Sequence, residues 1–503
     1  MDDNKQLIIN LVSNVVAFSS SFIISFILTP YLINHIGKEA YSFYPMSNNF
    51  IGYISIITIA LNSMLARFIS INYNKRNYNR AKTFFSSSFY SNVILVLILI
   101  PPMLMFILNI DEILNIPKHL IRDIQLLFYL VFFSLLIDLL STVFGVATFV
   151  RNRLDLRALF EILKGMLKVI LFLILFYFFD ISIVFVGIVA VCVSIFNLSI
   201  QYTFSRKLMP EFIISISHVD FDSIKVLLSS GFWNVINALG VSLLLGMALF
   251  LTNRYLGPNA SGDLSLAMML PAFITTIISM MASVLIPRMT KIYATNSLSD
   301  FISEIVFSQK ILTILTTIPI LILIVFSDDF FKLWLPNDYS IVLTQLSIIL
   351  LIPLTIHSNM WCVYSANVVV NKLKKLSVIL LGVGVLNVFI CVMWFNFLHE
   401  SYFVIPLISV VTNVIYYLII VPVYTAKNLD INNNVFYNLI LKSLLFSIVF
   451  VSFLFYVRSY IYIDSWLNLF SYSIFFCCIG YIAHLFVVLN KGEILSFFKM
   501  IKR

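Results

Sequence analysis

Arg157-Ala-Leu-Phe-Glu-Ile-Leu-Lys-Gly-Met-Leu-Lys-Val-Ile-Leu-Phe-Leu-Ile-Leu-Phe-Tyr-Phe-Phe179 is an apolar run broken by charge on one side only. A run of roughly 20 such residues, rising 1.5 Å each, spans a hydrocarbon core of about 30 Å, so 159–179 reads as a membrane-crossing helix. At about 100° per residue, Glu161, Lys164 and Lys168 fall within an arc of roughly 60° and form a single charged stripe. Lys168 lies about 16 Å from Arg157 along the axis, near the bilayer midplane. A lysine at that depth costs about 3 kcal/mol in lipid, so the stripe must face protein or water. Two readings follow. Glu161–Lys164 and Lys168–Asp138 are ion pairs that hold the bundle together, or the stripe lines a wet cavity that receives an anionic group.

The rest of the chain is of the same kind. Hydrophobic residues make up 61% and charged residues 11% of 503 positions, a balance that soluble domains of this length do not show. Apolar runs separated by polar breaks predict an all-α polytopic membrane protein with about fourteen transmembrane helices. Runs this long exclude an outer-membrane barrel, whose strands are about ten residues long and alternate in polarity. The run from Leu7 to Ile33 is too long for the core of a leader peptide and is read as the first helix. Five cysteines, Cys192, Cys362, Cys391, Cys477 and Cys478, fall in apolar runs without metal-ligand spacing and are read as core residues.

Threading the runs puts Arg67, Lys75, Arg76, Arg80, Lys82, Arg151, Arg153, Arg157, Arg206, Lys207, Arg288, Lys291, Lys372, Lys374, Lys375, Lys427 and the tail Lys499, Lys502 and Arg503 on one side. The opposite side carries few basic residues and holds Asp111, Glu112, Asp328, Asp329 and Asp338. The positive-inside rule makes the first side cytoplasmic, with both termini there. The net charge of +9 is thereby accounted for as topology and predicts no nucleic-acid partner.

A duplication runs through the chain. Gly37-Lys-Glu-Ala-Tyr aligns with Gly257-Pro-Asn-Ala-Ser, and Ile113-Leu-Asn-Ile-Pro117 with Lys332-Leu-Trp-Leu-Pro336. Ala147 and Asn152-Arg-Leu align with Ala366 and Asn371-Lys-Leu, and Gly165 with Gly384, all about 220 residues apart. Six helices per repeat, an even number, predict two parallel lobes facing a central cleft: 1–210 and 220–428, followed by 429–503 as two additional helices and a basic tail. Lys168 then corresponds to Asn387 and Asp138 to His357, so both repeats keep polar groups at these depths. Glu161 and Lys164 correspond to Leu380 and Val383, which confines the added charge to the first repeat.

In Ile27-Leu-Thr-Pro-Tyr-Leu-Ile-Asn-His-Ile-Gly-Lys-Glu-Ala-Tyr41, in Leu333-Trp-Leu-Pro-Asn-Asp-Tyr339 and in the Asn371-Lys-Leu turn, together with the six-plus-six-plus-two pattern, the chain resembles the multidrug/oligosaccharidyl-lipid/polysaccharide exporter superfamily. Within it the resemblance is to the polysaccharide-transporter branch of lipid-linked oligosaccharide flippases. That resemblance implies movement of an undecaprenyl-diphosphate-linked sugar unit from the cytoplasmic to the outer leaflet of the bacterial cytoplasmic membrane by alternating access, with a cationic cavity for the diphosphate. Matched by position type, Lys164, Lys168, Arg67 and Arg288 are the candidates for that cavity. Arg67 and Arg288 also suit interfacial anchoring.

Asp138 and Glu161 are candidate counter-charges, Asp138 also a coupling site for protons or ions, and His357 and Asn387 candidate polar groups of the cleft. The implied partners are a polyprenyl-diphosphate-linked oligosaccharide, the lipid bilayer, a proton or sodium gradient, and glycosyltransferases and a polymerase of the same pathway; no cofactor is implied. The first helix lacks any charge between Lys5 and Lys38, where drug-exporting relatives often carry a carboxylate and peptidoglycan-precursor flippases carry arginines.

Two other functions compete with this reading. A cation-coupled drug exporter shares the fold, and the basic first-repeat stripe speaks against it. A membrane polymerase or ligase needs acid/base groups on a sizeable outer loop, and every outer connection is short. A Walker-type loop, a metal signature and a nucleophile elbow are all missing from the sequence, which argues against ATP hydrolysis.

Overall fold

The computed structural model describes residues 3–398 and 401–489; the predicted basic tail Lys499, Lys502 and Arg503 lies outside the described residues. Every regular element among the described residues is helical. The first six spans are α1 (Asp3–Ile36), α2 (Lys38–Asn74, with turns at Ser42 and 63–64), α3 (Tyr78–Leu108), α4 (Lys118–Val150), α5 (Leu154–Phe178) and α6 (Val184–Leu208). The next six are α7 (Phe221–Leu256), α8 (Pro258–Thr295), α9 (Leu298–Trp334), α10 (Ile341–Val369), α11 (Lys374–Phe397) and α12 (Val404–Leu429). Then come α13 (Asn434–Arg458) and α14 (Trp466–Val488). Among the described residues thirteen helices are long and apolar enough to cross a membrane. The fourteenth, α5, has 25 residues, enough to cross, and is set apart by its charges.

Local chemistry sets the ends. The Asn77 side chain accepts from the amide of Arg80 at the start of α3, and that of Ser465 from the amide of Asn468 at the start of α14. Asp220 caps α7, accepting from the Asp222 and Ser223 amides and from the Ser223 hydroxyl at 2.7 Å, and it pairs with Arg80 at 3.2 Å. The Ser223 hydroxyl, with those amides, holds the Asp220 carboxyl below its ordinary range. Ser297 and Asp300 form a reciprocal capping box at the start of α9. α9 is the most buried of the apolar spans.

The chain divides into two compact units. The first comprises 1–242 and 253–262, the second 243–252 and 263–503. α7 passes from one to the other within a π-helical turn, Ser242–Gly246. Its first half packs on α2, where a Cβ on Gly231 would stand 2.1 Å from the carbonyl oxygen of Ala60, so only glycine admits this approach. The core of the first unit gathers Leu61, Leu65, Phe85, Phe144 and Leu227 around α2, α3, α4 and α7. That of the second gathers Phe301, Met360, Leu376, Leu380, Tyr416 and Phe436.

Backbone conformation follows the sequence repeat. Gly37 and Gly257 have φ of 81° and 88°, and Asn152 and Asn371 have φ of 53° and 57°. The left-handed region favours Gly and Asn, so the residue types at these four positions are those their conformation demands.

Candidate functional site

α5 is seated at its N-terminus by a polar clamp. Arg153 forks onto Asp155 with contacts of 2.9 to 3.2 Å, and Gln6 on α1 donates to the same carboxylate at 3.1 Å. Asn10 on α1 donates to the carbonyl and side-chain oxygens of Asn152 and accepts the amide of Asp155. Further along, Gly165 faces Ile24 of α1, and a Cβ there would meet the isoleucine Cδ1 at 2.6 Å. α1 therefore fixes the rotation of α5 about its own axis, and with it the direction of the stripe.

The stripe divides. Arg157, Glu161 and Lys164 line a cavity of about 420 Å³ in the first unit, together with Asp138, Ser141 and Thr142 of α4, Asn197 and Gln201 of α6, and Asn62 of α2. Lys164 Nζ lies 2.8 Å from Glu161 Oε1, which is the predicted i, i+3 pair. Lys168 leaves the cavity lining and donates instead to the Tyr44 hydroxyl, with its ammonium 5.0 Å from that ring's centroid. Two basic and two acidic side chains line this hollow: Arg157 and Lys164 stand beside Asp138 and Glu161, the two carboxylates expected as counter-charges.

The predicted Asp138–Lys168 pair does not form. Asp138 accepts from Ser194 Oγ at 2.7 Å and from Asn197 Nδ2 at 2.9 Å. α4 and α6 pack along their length, so the Ser194 and Asn197 side chains, one turn apart on α6, reach the carboxylate, while Lys168 extends toward α2. Asp138 thus has no ion-pair partner among the described residues. The buried Oδ1 of Asn197 and Oε1 of Gln201 have no hydrogen-bond partner among the described residues.

The remaining candidates scatter. Arg67 is exposed two turns before the end of α2 and makes no ion pair among the described residues. Arg288 is held by Glu304, whose side chain is 6% exposed, through contacts of 2.7 and 3.0 Å, and lies over Phe307. Asn387 lines neither the Lys164 cavity nor the cavity that holds His357. It is buried, donating to the Leu243 and Leu244 carbonyls of the π-helical turn in α7 and accepting from Thr412. A π turn displaces its own carbonyls from the α-helical ladder, and Asn387 supplies the missing donor. His357 does line a cavity, in the second unit. Cys362 and Cys391 are buried as expected; Cys478 is exposed.

Sequence reasoning passed over Arg157, Tyr44, Asn197 and Gln201. Arg157 carried a usable signal, since its helical phase falls inside the same arc of roughly 60° as the three stripe residues. Nothing in the spacing marked Tyr44 or the α6 amides, because only packing brings those helices together. Among the described residues no group of three or more His, Cys, Asp or Glu side chains could hold a metal.

Residues 7–293 match the model of a family described as "Polysaccharide biosynthesis protein". The "Uncharacterized membrane protein EpsK" of Bacillus subtilis (strain 168) is 25% identical over 431 residues, 85% of either chain. Among solved structures, the lipid II flippase MurJ in an inward closed conformation aligns with a TM-score of 0.67 at 13% identity, covering 98% of this chain and 100% of that one. An inward-facing multidrug-resistance MATE transporter of the MOP superfamily aligns with a TM-score of 0.66 at 11% identity, covering 84% of this chain and 98% of that one. At these identities the two structures establish a shared fold.

Proposed function

The chain belongs to the polysaccharide biosynthesis protein family, and from that premise we propose that it is a flippase. Its cargo is undecaprenyl-diphosphate-linked oligosaccharide, carried from the cytoplasmic to the outer leaflet of the bacterial cytoplasmic membrane by opening one site alternately to each side. The observation that carries this reading is a cavity inside an apolar helical unit that is lined by Arg157 and Lys164. A diphosphate entering a low-dielectric site needs fixed positive charge, since burying it unpaired costs far more than headgroup contacts return.

Lys164 is not free at rest, because Glu161 holds it; yet that pair is weak. The glutamate side chain is 46% exposed, and half-solvated i, i+3 pairs contribute about 0–1 kcal/mol. A dianionic headgroup displaces such a partner readily, and Glu161 recaptures the ammonium once the cargo has left. Lysine suits this exchange, being a mobile point charge where an arginine fork would clamp. The polyprenyl tail stays in lipid, so only the polar head needs the protein.

Asp138 takes the coupling role in this scheme. Without a cationic partner among the described residues it is the membrane-embedded carboxylate available to bind a proton or a small cation, and it lines the same cavity as Lys164. The drug-exporter reading shares the fold and loses ground to the basic residues beside that carboxylate.

The test is a deletion strain complemented with wild type, Arg157→Ala or Lys164→Ala. Wild type restores surface polysaccharide; the variants reach the membrane and leave lipid-linked oligosaccharide accumulating inside. Unchanged polysaccharide with both variants would remove the stripe from the mechanism. Export of cationic dyes with no glycolipid accumulating on deletion would favour the drug exporter.

A further inference from the structure

Between α6 and α7 the chain runs through 209–220 as irregular backbone with a single 3₁₀ turn, Ile216–His218, inside the first unit. Packing holds it in place. Met209 and Phe212 are buried in the core of that unit, with the Phe212 ring centroid 5.6 Å from that of Phe85, and the Ser86 and Ser87 hydroxyls of α3 accept the amides of Ser215 and Asp220 at 3.3 and 2.9 Å. The apolar side chains at its surface nevertheless point outward. Ile213, Ile216 and, at the first position of α7, Phe221 are 58, 75 and 76% exposed. The row continues along α7, where Leu228 and Phe232 are exposed on the same helix face as Phe221.

Side chains this apolar and this exposed on a fixed backbone mark a contact surface. Its place and charge decide what covers it. Arg206 and Lys207 close α6 in its last turn, which puts the headgroup layer at that level, on the side that the basic residues predict to be cytoplasmic. Irregular backbone does not face lipid within the hydrocarbon core, so 209–220 lies in the headgroup layer with its apolar side chains reaching the acyl boundary. Arg206, Lys207 and Lys225 are exposed around the patch, and Lys82 stands one turn before Ser86 on α3. Glu211 and Asp222 oppose them, while Asp220 is paired with Arg80. Four cations against two carboxylates favour an anionic surface over a neutral one.

We propose that 209–221 is an interfacial anchor that docks on anionic phospholipid of the inner leaflet. Ile213, Ile216 and Phe221 enter the acyl boundary, and Lys207 and Lys225 meet the headgroup phosphates. This role goes beyond the flippase reading and stands without it, because the ligand is the membrane's own anionic lipid and the measure is lipid contact, not transport. The anchor also fixes the level at which α7 begins, since Asp220 caps that helix one residue before Phe221.

The experiment puts the photoreactive p-benzoylphenylalanine in place of Ile216 or of Ile213 in the full-length protein, in vesicles of equal phosphatidylglycerol and phosphatidylcholine, and identifies by mass the adducts formed on illumination. Both side chains are exposed, so the fold is not at stake, and each position checks the other. Lipid adducts are expected at both, well above those of the same probe in place of Asn74, which is exposed in the polar end of α2. Phosphatidylglycerol is expected in about fivefold excess over phosphatidylcholine, the worth of one basic side chain at an anionic surface. Lys207→Gln with Lys225→Gln should bring the two lipids near parity while the total of lipid adducts stays the same. Lipid yields no higher than at Asn74 overturn the proposal, as does parity with both lysines present or an excess that survives their loss. Adducts to a second protein in intact cells, in place of lipid, overturn it in favour of a protein partner.

Discussion

α5 and α11 occupy the same place in the two repeats and turn the same face to opposite uses. Arg157, Glu161, Lys164 and Lys168 on α5 correspond to Leu376, Leu380, Val383 and Asn387 on α11, at a constant offset of 219. On α5 the first three line a polar cavity. On α11 Leu376 and Leu380 lie in the core of the second unit, with Val383 packed against them, and Asn387 is engaged by backbone carbonyls. A duplicated scaffold thus holds a face that lines a polar cavity in one copy and is packed in the other. Charge is admissible only where a cavity replaces close packing, because burial without partners costs several kcal/mol.

The most severe way to break this comparison is to charge the packed face. Leu380→Glu, at a side chain 1% exposed, should cost about 4 kcal/mol or more and prevent accumulation of folded protein in the membrane. The reciprocal Glu161→Leu should leave the protein abundant, since it removes a half-exposed charge. Equal loss for both would show that α5 faces packed protein as α11 does.

The next largest effect falls on transport. Removing two charge-assisted contacts of about 1.5–3 kcal/mol each, Arg157→Ala with Lys164→Ala should slow glycolipid movement by roughly a hundredfold or more while thermal unfolding in detergent changes little. A double variant as active as wild type would leave the polar face without a task. Asp138→Asn tests the coupling group. It keeps hydrogen bonding to Ser194 and Asn197 and removes the charge, so vesicle transport should fall about tenfold and lose its response to dissipating the ion gradients. Wild-type transport that ignores every gradient would end the coupling role.

The smallest effects separate two arginines near equivalent ends of α2 and α8. Arg288→Ala leaves Glu304 with only a 3.4 Å contact from Ser308, and after allowance for the arginine's exposure it should cost about 1–2 kcal/mol, read as a lower melting temperature. Arg67→Ala should change neither melting nor transport beyond about twofold, as exposed unpaired side chains rarely matter more. A large transport loss in Arg67→Ala would return that residue to the anion path.

Much of this was legible from residue order. Fourteen spans, the membrane class and the single stripe on α5 follow from period and length, which are local properties that each helix keeps wherever it is placed. The repeat was legible too, because Gly37 and Gly257, and Asn152 and Asn371, mark left-handed turns that few other residues tolerate. The stripe's partners were not legible. Lys168 could be assigned to Asp138 by depth alone, yet depth does not say how each helix is rotated or which neighbour it meets.

Packing decided those points. α1, held to α5 through Asn10 and Gly165, turns Lys168 toward Tyr44, and the fit of α4 against α6 gives Asp138 to Ser194 and Asn197. Arg288 met Glu304, and Asn387 met the π turn of α7, through contacts between helices that share no sequence pattern. Periodicity along a helix is written in its own residues; the identity of the neighbour across a packed interface depends on how well two surfaces fit, which becomes definite only when the helices are assembled.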